Sequence, residues 1–355
     1  MGRTTIVLAV GAMAATIVTF ALRVAGAEGV PIFIGSAVAL AMLASLVGEA
    51  TDQLGGRLGA GATGVLQSAL GNLPELLISL FALQAGLVTV VQTALIGSIL
   101  ANTLLVLGLA FLFGGLRNGP QQFASDRPRM IAVLLLLATA ALAIPALATA
   151  PGAPDVGHDR ELSVIAAVVL LVVFAASIPF SIGGGQGASV EGLSDEPRWP
   201  LWLPIGLLAF AALGAALVSD WFVESLRPSM ATLGLSEEFV GLVVVAIAGN
   251  AVENVVGIQM AVRNRSDLSV SLILNSGLQV ALALTPALVL LSLVVGTHPM
   301  TLVAQPLLIG AVALSALLSA LITLDGRSTW LEGLALIGLY IIIAASVWWG
   351  PPVTV

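Results

Sequence analysis

The sequence predicts an all-α polytopic membrane protein of about eleven transmembrane helices, built as two inverted five-helix repeats plus an extra N-terminal helix. Three observations predict it. Of the 355 residues, 59% are hydrophobic and 9% charged, and the mean hydropathy of +1.10 exceeds what a water-soluble fold can hide. Charges and Gly/Pro clusters cut the chain into eleven apolar windows, each near the roughly 20 residues that a bilayer-spanning helix needs. A polar segment leaves five windows on either side once the first is set aside, and an odd number per half inserts the second half upside down relative to the first.

The windows fall at residues 4–22, 30–48, 61–83, 89–113, 130–149, 161–182, 201–223, 239–261, 268–294, 302–322 and 330–349. The first follows Arg3 and precedes Ala25-Gly26-Ala27, which resembles a signal-peptide cleavage site. Its length of about 19 residues exceeds an ordinary signal h-region, so we read residues 1–28 as a retained transmembrane helix. Residues 29–182 then form the first repeat, the Gly-rich acidic stretch 183–199 a cytoplasmic linker, and 200–355 the second repeat. Lys is absent, so twelve arginines carry all the positive charge. Arg3, Arg57, Arg117, Arg127, Arg129, Arg198, Arg263, Arg265 and Arg327 fall on the side of the N-terminus, and Arg23, Arg160 and Arg227 on the other. That bias places the N-terminus in the cytoplasm and the C-terminus outside.

Composition also excludes function classes. A net charge of -7 with no basic tail argues against a nucleic-acid partner. With no Cys, disulfides, thiolate metal sites and Cys nucleophiles drop out. Neither a Gly-x-Gly-Asp nor a His-Glu-x-x-His motif is present, so we do not read the chain as an intramembrane enzyme. His158 and His298 fall in outer loops.

The chemistry gathers in two matching segments, Gly71-Asn72-Leu73-Pro74-Glu75 and Gly249-Asn250-Ala251-Val252-Glu253. Both read Gly-Asn-x-x-Glu in the second span of their half, and each Glu sits near the middle of its window. A charge at that depth costs roughly 2.5 to 3.5 kcal/mol, and such groups usually mark ion pathways. No Arg or His lies deep in a span to pair with them. The following span of each half brings a second polar patch: Gly97-Ser98 with Asn102, and Asn275-Ser276-Gly277 with Gln279. Gly71 and Pro74 can open the helix and release backbone carbonyls. Those carbonyls, both carboxylates and the side chains of Asn72, Asn250, Ser98, Asn102, Ser276 and Gln279 make an all-oxygen set suited to a hard cation such as Ca2+. Glu49 and Asp52 at one end of the second span, and Asp220 and Glu224 at the outer end of the seventh, read as solvated helix ends, with a cation-attracting funnel as the alternative.

These segments, with Ala50-Thr51-Asp52 before the first and Gly234-Leu235-Ser236-Glu237-Glu238-Phe239-Val240-Gly241-Leu242 before the second, resemble the calcium/proton exchanger family of the calcium/cation antiporter superfamily. The likeness is strong over residues 31–113 and 217–306. It implies two inverted five-helix repeats with the ion held around Glu75 and Glu253, Ca2+ and H+ as the transported ions, no cofactor, and residence in a prokaryotic inner membrane. Sodium-coupled branches usually carry Thr or Ser where Asn72 and Asn250 stand, which favours protons. The chain departs from the family pattern at Asn254, where His is common, at Ala246 to Ala248, where a Pro is common, and at Asn275-Ser276-Gly277, where Gly-Ser-Ser is common. The second helix break therefore lacks its expected breaker. Two carboxylates in one low-dielectric pocket can hold a metal or protons but not both, and competition of that kind makes an antiporter that moves cytoplasmic Ca2+ out. An exchanger for Na+, Mg2+ or Mn2+ is the alternative within the class, and a passive cation channel a more distant one.

On this topology, reporter tags at the N-terminus and near Gly187 read out as cytoplasmic and a C-terminal tag as external. Protease protection in sealed vesicles checks it, and both termini on one face would mean an even number of spans.

Overall fold

The structure is a computed structural model and describes residues 3–124, 126–183, 199–296 and 298–349. The proposed linker lies, apart from its two end residues, outside the described residues. Helix α1 (Arg3–Val24) occupies the first window. Helix α2 runs without interruption from Val30 to Gly71, 42 residues, so the second window and the start of the third share one helix where the sequence suggests two. Hydropathy marks where apolar surroundings end. It does not mark where backbone hydrogen bonding ends, and the polar stretch around Glu49 and Asp52 contains no proline to stop it.

After Asn72 the chain continues as α3 (Leu73–Gln84), with Pro74 in its first turn. Next come α4 (Val88–Leu100), a π-helical stretch Ala101–Val106 and α5 (Leu107–Asn118), then α6 (Asp126–Ala148) and α7 (Asp159–Gly183). The second half opens with α8 (Trp202–Leu233), ended by Gly234 in the left-handed region at φ 65°. It proceeds through α9 (Glu237–Phe239), a π-helical stretch Val240–Val245, α10 (Ala246–Gly249) and α11 (Ala251–Val262). Helix α12 (Ser266–Gln279) runs through a third π-helical stretch, Val280–Leu284, into α13 (Thr285–Ser292), and α14 (Pro306–Ile322) and α15 (Trp330–Ser346) close the chain. Among the described residues seven helices are long and apolar enough to cross a membrane, and Glu237–Gly249 with Glu253–Val262, bent by 66°, make an eighth if taken as one span. Helices α3, α14 and α15 are apolar but shorter.

Two groups of helices meet at the centre. In one, α2 and α8 lie antiparallel: Gly29 faces Pro228 and Gly214 faces Leu43, while Phe33 and Phe222 stack with centroids 5.1 Å apart. Helix α1 is fastened to this pair at both ends. Thr5 Oγ1 donates to Glu49 Oε1 at 3.3 Å, and Arg23 pairs with Glu224 of α8 at 2.6 Å while lying 5.4 Å over the Trp221 ring. In the other group α5 packs on α11 and α15, and α6 on α14. A two-stranded antiparallel ribbon, β1 (Gln121–Gln122) with β2 (Arg327–Ser328), joins loops from the two halves.

Helix α4 crosses the Val240–Val245 segment at backbone contact. A Cβ on Gly97 would fall on the Leu242 carbonyl and 2.6 Å from its Cα, and one on Gly241 would strike Thr93 Oγ1 and lie 2.5 Å from the Val90 carbonyl. Only hydrogen fits at either place, and this closeness brings the polar patch of α4 to the break in the other half. Gly97→Val should therefore cost about 3 kcal/mol or more through overpacking and deplete the monodisperse protein in detergent size-exclusion. Gly310→Ala, with nothing within 4 Å of the added methyl, should leave the profile unchanged.

Candidate ion-binding site

Both Gly-Asn-x-x-Glu segments break their helix at the Asn. Asn72 adopts φ -88°, ψ 9° and Asn250 φ -107°, ψ 19°, both in the sparsely allowed bridge region. The helix resumes at once: Leu76 N–H donates to Asn72 O at 2.9 Å and Asn254 N–H to Asn250 O at 3.1 Å. At the first break Pro74 has no N–H to offer, and the Leu70 carbonyl accepts instead from the Asn72 N–H. The second break forms without a proline. Asn250 folds its side chain back so that Nδ2 donates to the Ala246 carbonyl at 3.1 Å, competing with the backbone for the same acceptor.

The two breaks are set against each other. A Cβ on Gly71 would lie 3.5 Å from Glu253 Oε1, and one on Gly249 would lie 3.3 Å from Glu75 Cβ. Each Glu thus occupies the space left by the glycine of the opposite half. The same interval separates Gly71 from Gly249, Asn72 from Asn250, Glu75 from Glu253 and Ser98 from Ser276.

Glu75 is 1% exposed. Ser98 donates to its Oε1, and Asn250 Nδ2 approaches its Oε2 at 3.5 Å and donates to Ser98 Oγ at 2.9 Å. Asn72 Nδ2 reaches Gln279 Oε1 at 3.2 Å, and Asn102 Nδ2 reaches Ser276 Oγ at 3.3 Å. Of the eight residues expected from sequence, Asn72, Gln279, Asn102, Ser276, Asn250, Ser98 and Glu75 thus make contacts that cross from one half to the other, and Glu253 lies against Gly71. Asn275 is exposed, whereas Gly97, its counterpart by the same interval, is buried.

Every polar atom in this cluster is oxygen or amide nitrogen, and among the described residues no group of three or more His, Cys, Asp or Glu is gathered. A cation held here draws its charge compensation from two carboxylates and completes its coordination with neutral oxygens, which favours a hard ion over a soft one. Asn102 Oδ1 is buried with no donor, an acceptor left over for such an ion.

The sequence reading overlooks one buried carboxylate. Glu238 is 8% exposed and accepts from Gln305 Nε2 at 3.1 Å, although its place at the edge of an apolar window gives it the look of a helix-end charge. Glu224 and Asp220 are exposed as expected, and His158 lies at the surface near Glu161 at 3.9 Å.

The profile of the sodium/calcium exchanger protein family matches residues 28–183 and 203–349. A protein of Aphanothece halophytica named Ca(2+)/H(+) antiporter is 34% identical over 345 residues, covering 92% of each chain. A protein of the same name from Synechocystis sp. is 34% identical over 356 residues, covering 94% of this chain and 95% of its own. Among solved structures, that of native YfkE is similar with a TM-score of 0.83 at 29% identity, covering 96% of this chain and 99% of that one.

Proposed function

We propose that this chain, which belongs to the sodium/calcium exchanger protein family and within it to the calcium/proton exchangers, is a secondary antiporter that exchanges cytoplasmic Ca2+ for external H+ at a site shared by Glu75 and Glu253. The observation that carries this reading is the reciprocal seating of each Glu against the opposite glycine, with Ser98, Asn250, Asn72, Gln279, Asn102 and Ser276 around them. Glu75 is buried and Glu253 partly so, and two carboxylates drawn into one apolar site repel one another until something positive joins them. A divalent ion and a pair of protons are the two ways to restore neutrality, and each displaces the other.

Exchange needs more than competition. The empty, fully ionised site must seldom cross, and its uncompensated charge in an apolar surround supplies that penalty. Access to alternate faces would come from movement of α2 and α8 against the remaining helices, with the breaks at Asn72 and Asn250 near the bilayer midplane. Seven long apolar helices, one bent pair and three shorter apolar ones support eleven crossings in two inverted repeats. The N-terminus is then cytoplasmic, the C-terminus external, and the membrane a prokaryotic inner one.

Glu75→Gln and Glu253→Gln keep side-chain size and remove charge. Each should abolish Ca2+ uptake into everted vesicles under an imposed pH gradient, a loss beyond the about 10- to 100-fold typical of disturbing a ligand's supporting hydrogen bond, while the protein still elutes as a folded species. Near-normal transport by either variant would sink the shared-site mechanism. Repeating the wild-type assay with competing Na+, Mg2+ and Mn2+ separates Ca2+ from its relatives.

Apparent Ca2+ affinity should fall as pH drops, because each proton bound removes one unit of negative charge and one strong ligand. As the two carboxylates titrate as a pair, the slope approaches about two protons per Ca2+ over part of the range. Equilibrium Ca2+ binding to purified protein across a pH series measures it, and an affinity independent of pH would exclude direct competition at this site.

A further inference from the structure

Three of the four residues from Ser236 to Phe239, where the half-helix leading to Asn250 begins, are tied to distant parts of the chain. Ser236 Oγ accepts from the Phe239 N–H at 3.0 Å and so caps α9. The same hydroxyl donates its hydrogen to the Val347 carbonyl at 2.5 Å. Phe239 meets the Trp348 ring edge-on, with centroids 4.5 Å apart and planes at 66°, a geometry that contributes beyond burial alone. Glu238 accepts from Gln305 at 3.1 Å, at the start of α14. Val347 and Trp348 directly follow α15, and the body of that helix lies backbone to backbone on α5. A Cβ on Gly108 would be 2.8 Å from the Gly333 carbonyl, and one on Gly115 2.8 Å from the Trp330 nitrogen. Helix α5 continues the chain that carries Ser98 and Asn102. Helix α15 therefore joins the element that bears Ser98 to the first residues of the element that bears Asn250, and those two elements meet in the Asn250–Ser98 bond at 2.9 Å.

We infer that Ser236 and Trp348 are positioning residues for the ion site, acting through Asn250. The half-helix is held at its start by α15 and pinned against α4 at Gly97 and Gly241, and it ends at Asn250, whose amide reaches Ser98 and Glu75. Phe239 stands roughly 16 Å along the helix from Asn250, with the π-helical stretch Val240–Val245 between them. A tilt at the capped end is carried down to Asn250, and hydrogen bonds weaken steeply with small errors in distance and angle. Neither Ser236 nor Trp348 touches the ion. They fix where a supporting amide stands, and supports of that kind tune the affinity of a metal site. This inference rests on the exchange reading and deepens it, giving the end of α15 a part in setting Ca2+ affinity.

The test is equilibrium Ca2+ binding to the purified full chain, arranged as a double-mutant cycle. Trp348 is 42% exposed, so Trp348→Ala leaves the core filled; it should weaken Ca2+ binding about tenfold. Trp348→Phe keeps an aromatic edge and should stay within about twofold of wild type. Ser236→Ala, which removes the cap and the bond to Val347, is the second variant and should act in the same direction. In an Asn250→Ala background, Trp348→Ala should weaken binding by less than about twofold further, because the residue it acts through is already gone. Unchanged affinity in both Trp348→Ala and Ser236→Ala would overturn the inference. So would a full tenfold loss repeated in the Asn250→Ala background, which would mark a general loosening of packing. Wild-type protein that binds no Ca2+ would remove the exchange reading and this inference together, whereas wild-type binding with an additive cycle removes only the inference.

Discussion

A carboxylate taken out of water costs several kcal/mol unless a cation, a donor or a proton compensates it, and the architecture is organised around two of them. Glu75 and Glu253 stand on separate halves of the chain, and each lies against the glycine of the other half, one turn after its own helix break. The breaks need Asn72 and Asn250 in the bridge region. The meeting needs the backbone crossing at Gly97 and Gly241. Without that crossing Ser98 does not reach Asn250, and Glu75 loses both its neighbours. Packing and chemistry are one problem here: small residues bring the helices close, and closeness lets few donors serve two charges.

Much of this was legible in the sequence, and for a physical reason. Charges are so costly in an apolar window that Glu75 and Glu253 stand out with no structure in hand, and the repeated Asn and Ser around them follow from the need for polar partners. The reading failed where signals were short-range or three-dimensional. The continuity of α2 was hidden because hydropathy reports surroundings and not hydrogen bonding. Glu238 was not singled out, because its shelter comes from Gln305, 67 positions away. The second break looked unsupported without a proline, yet the helix breaks at Asn250, whose side chain shares the Ala246 carbonyl with its own backbone N–H.

The π-helical stretches were also invisible. The one at Ala101–Val106 holds Asn102, whose Nδ2 bonds the Ser98 carbonyl one turn back and Ser276 Oγ in the other half, so both amide hydrogens are spent and Oδ1 has no donor. A helix can thus carry a polar point without a break.

The fastening of α1 has a mechanical consequence. Bound to Glu49 near one end and to Glu224 and Trp221 near the other, α1 would travel with α2 and α8 in the proposed shift. It presents Ile6, Val7, Val10, Met13, Ile17 and Val18 outwards, a broad greasy flank, so a shift of the pair would drag that flank through the surrounding acyl chains. Friction with lipid, and the match between α1 and bilayer thickness, would then enter the turnover rate although α1 touches no ion.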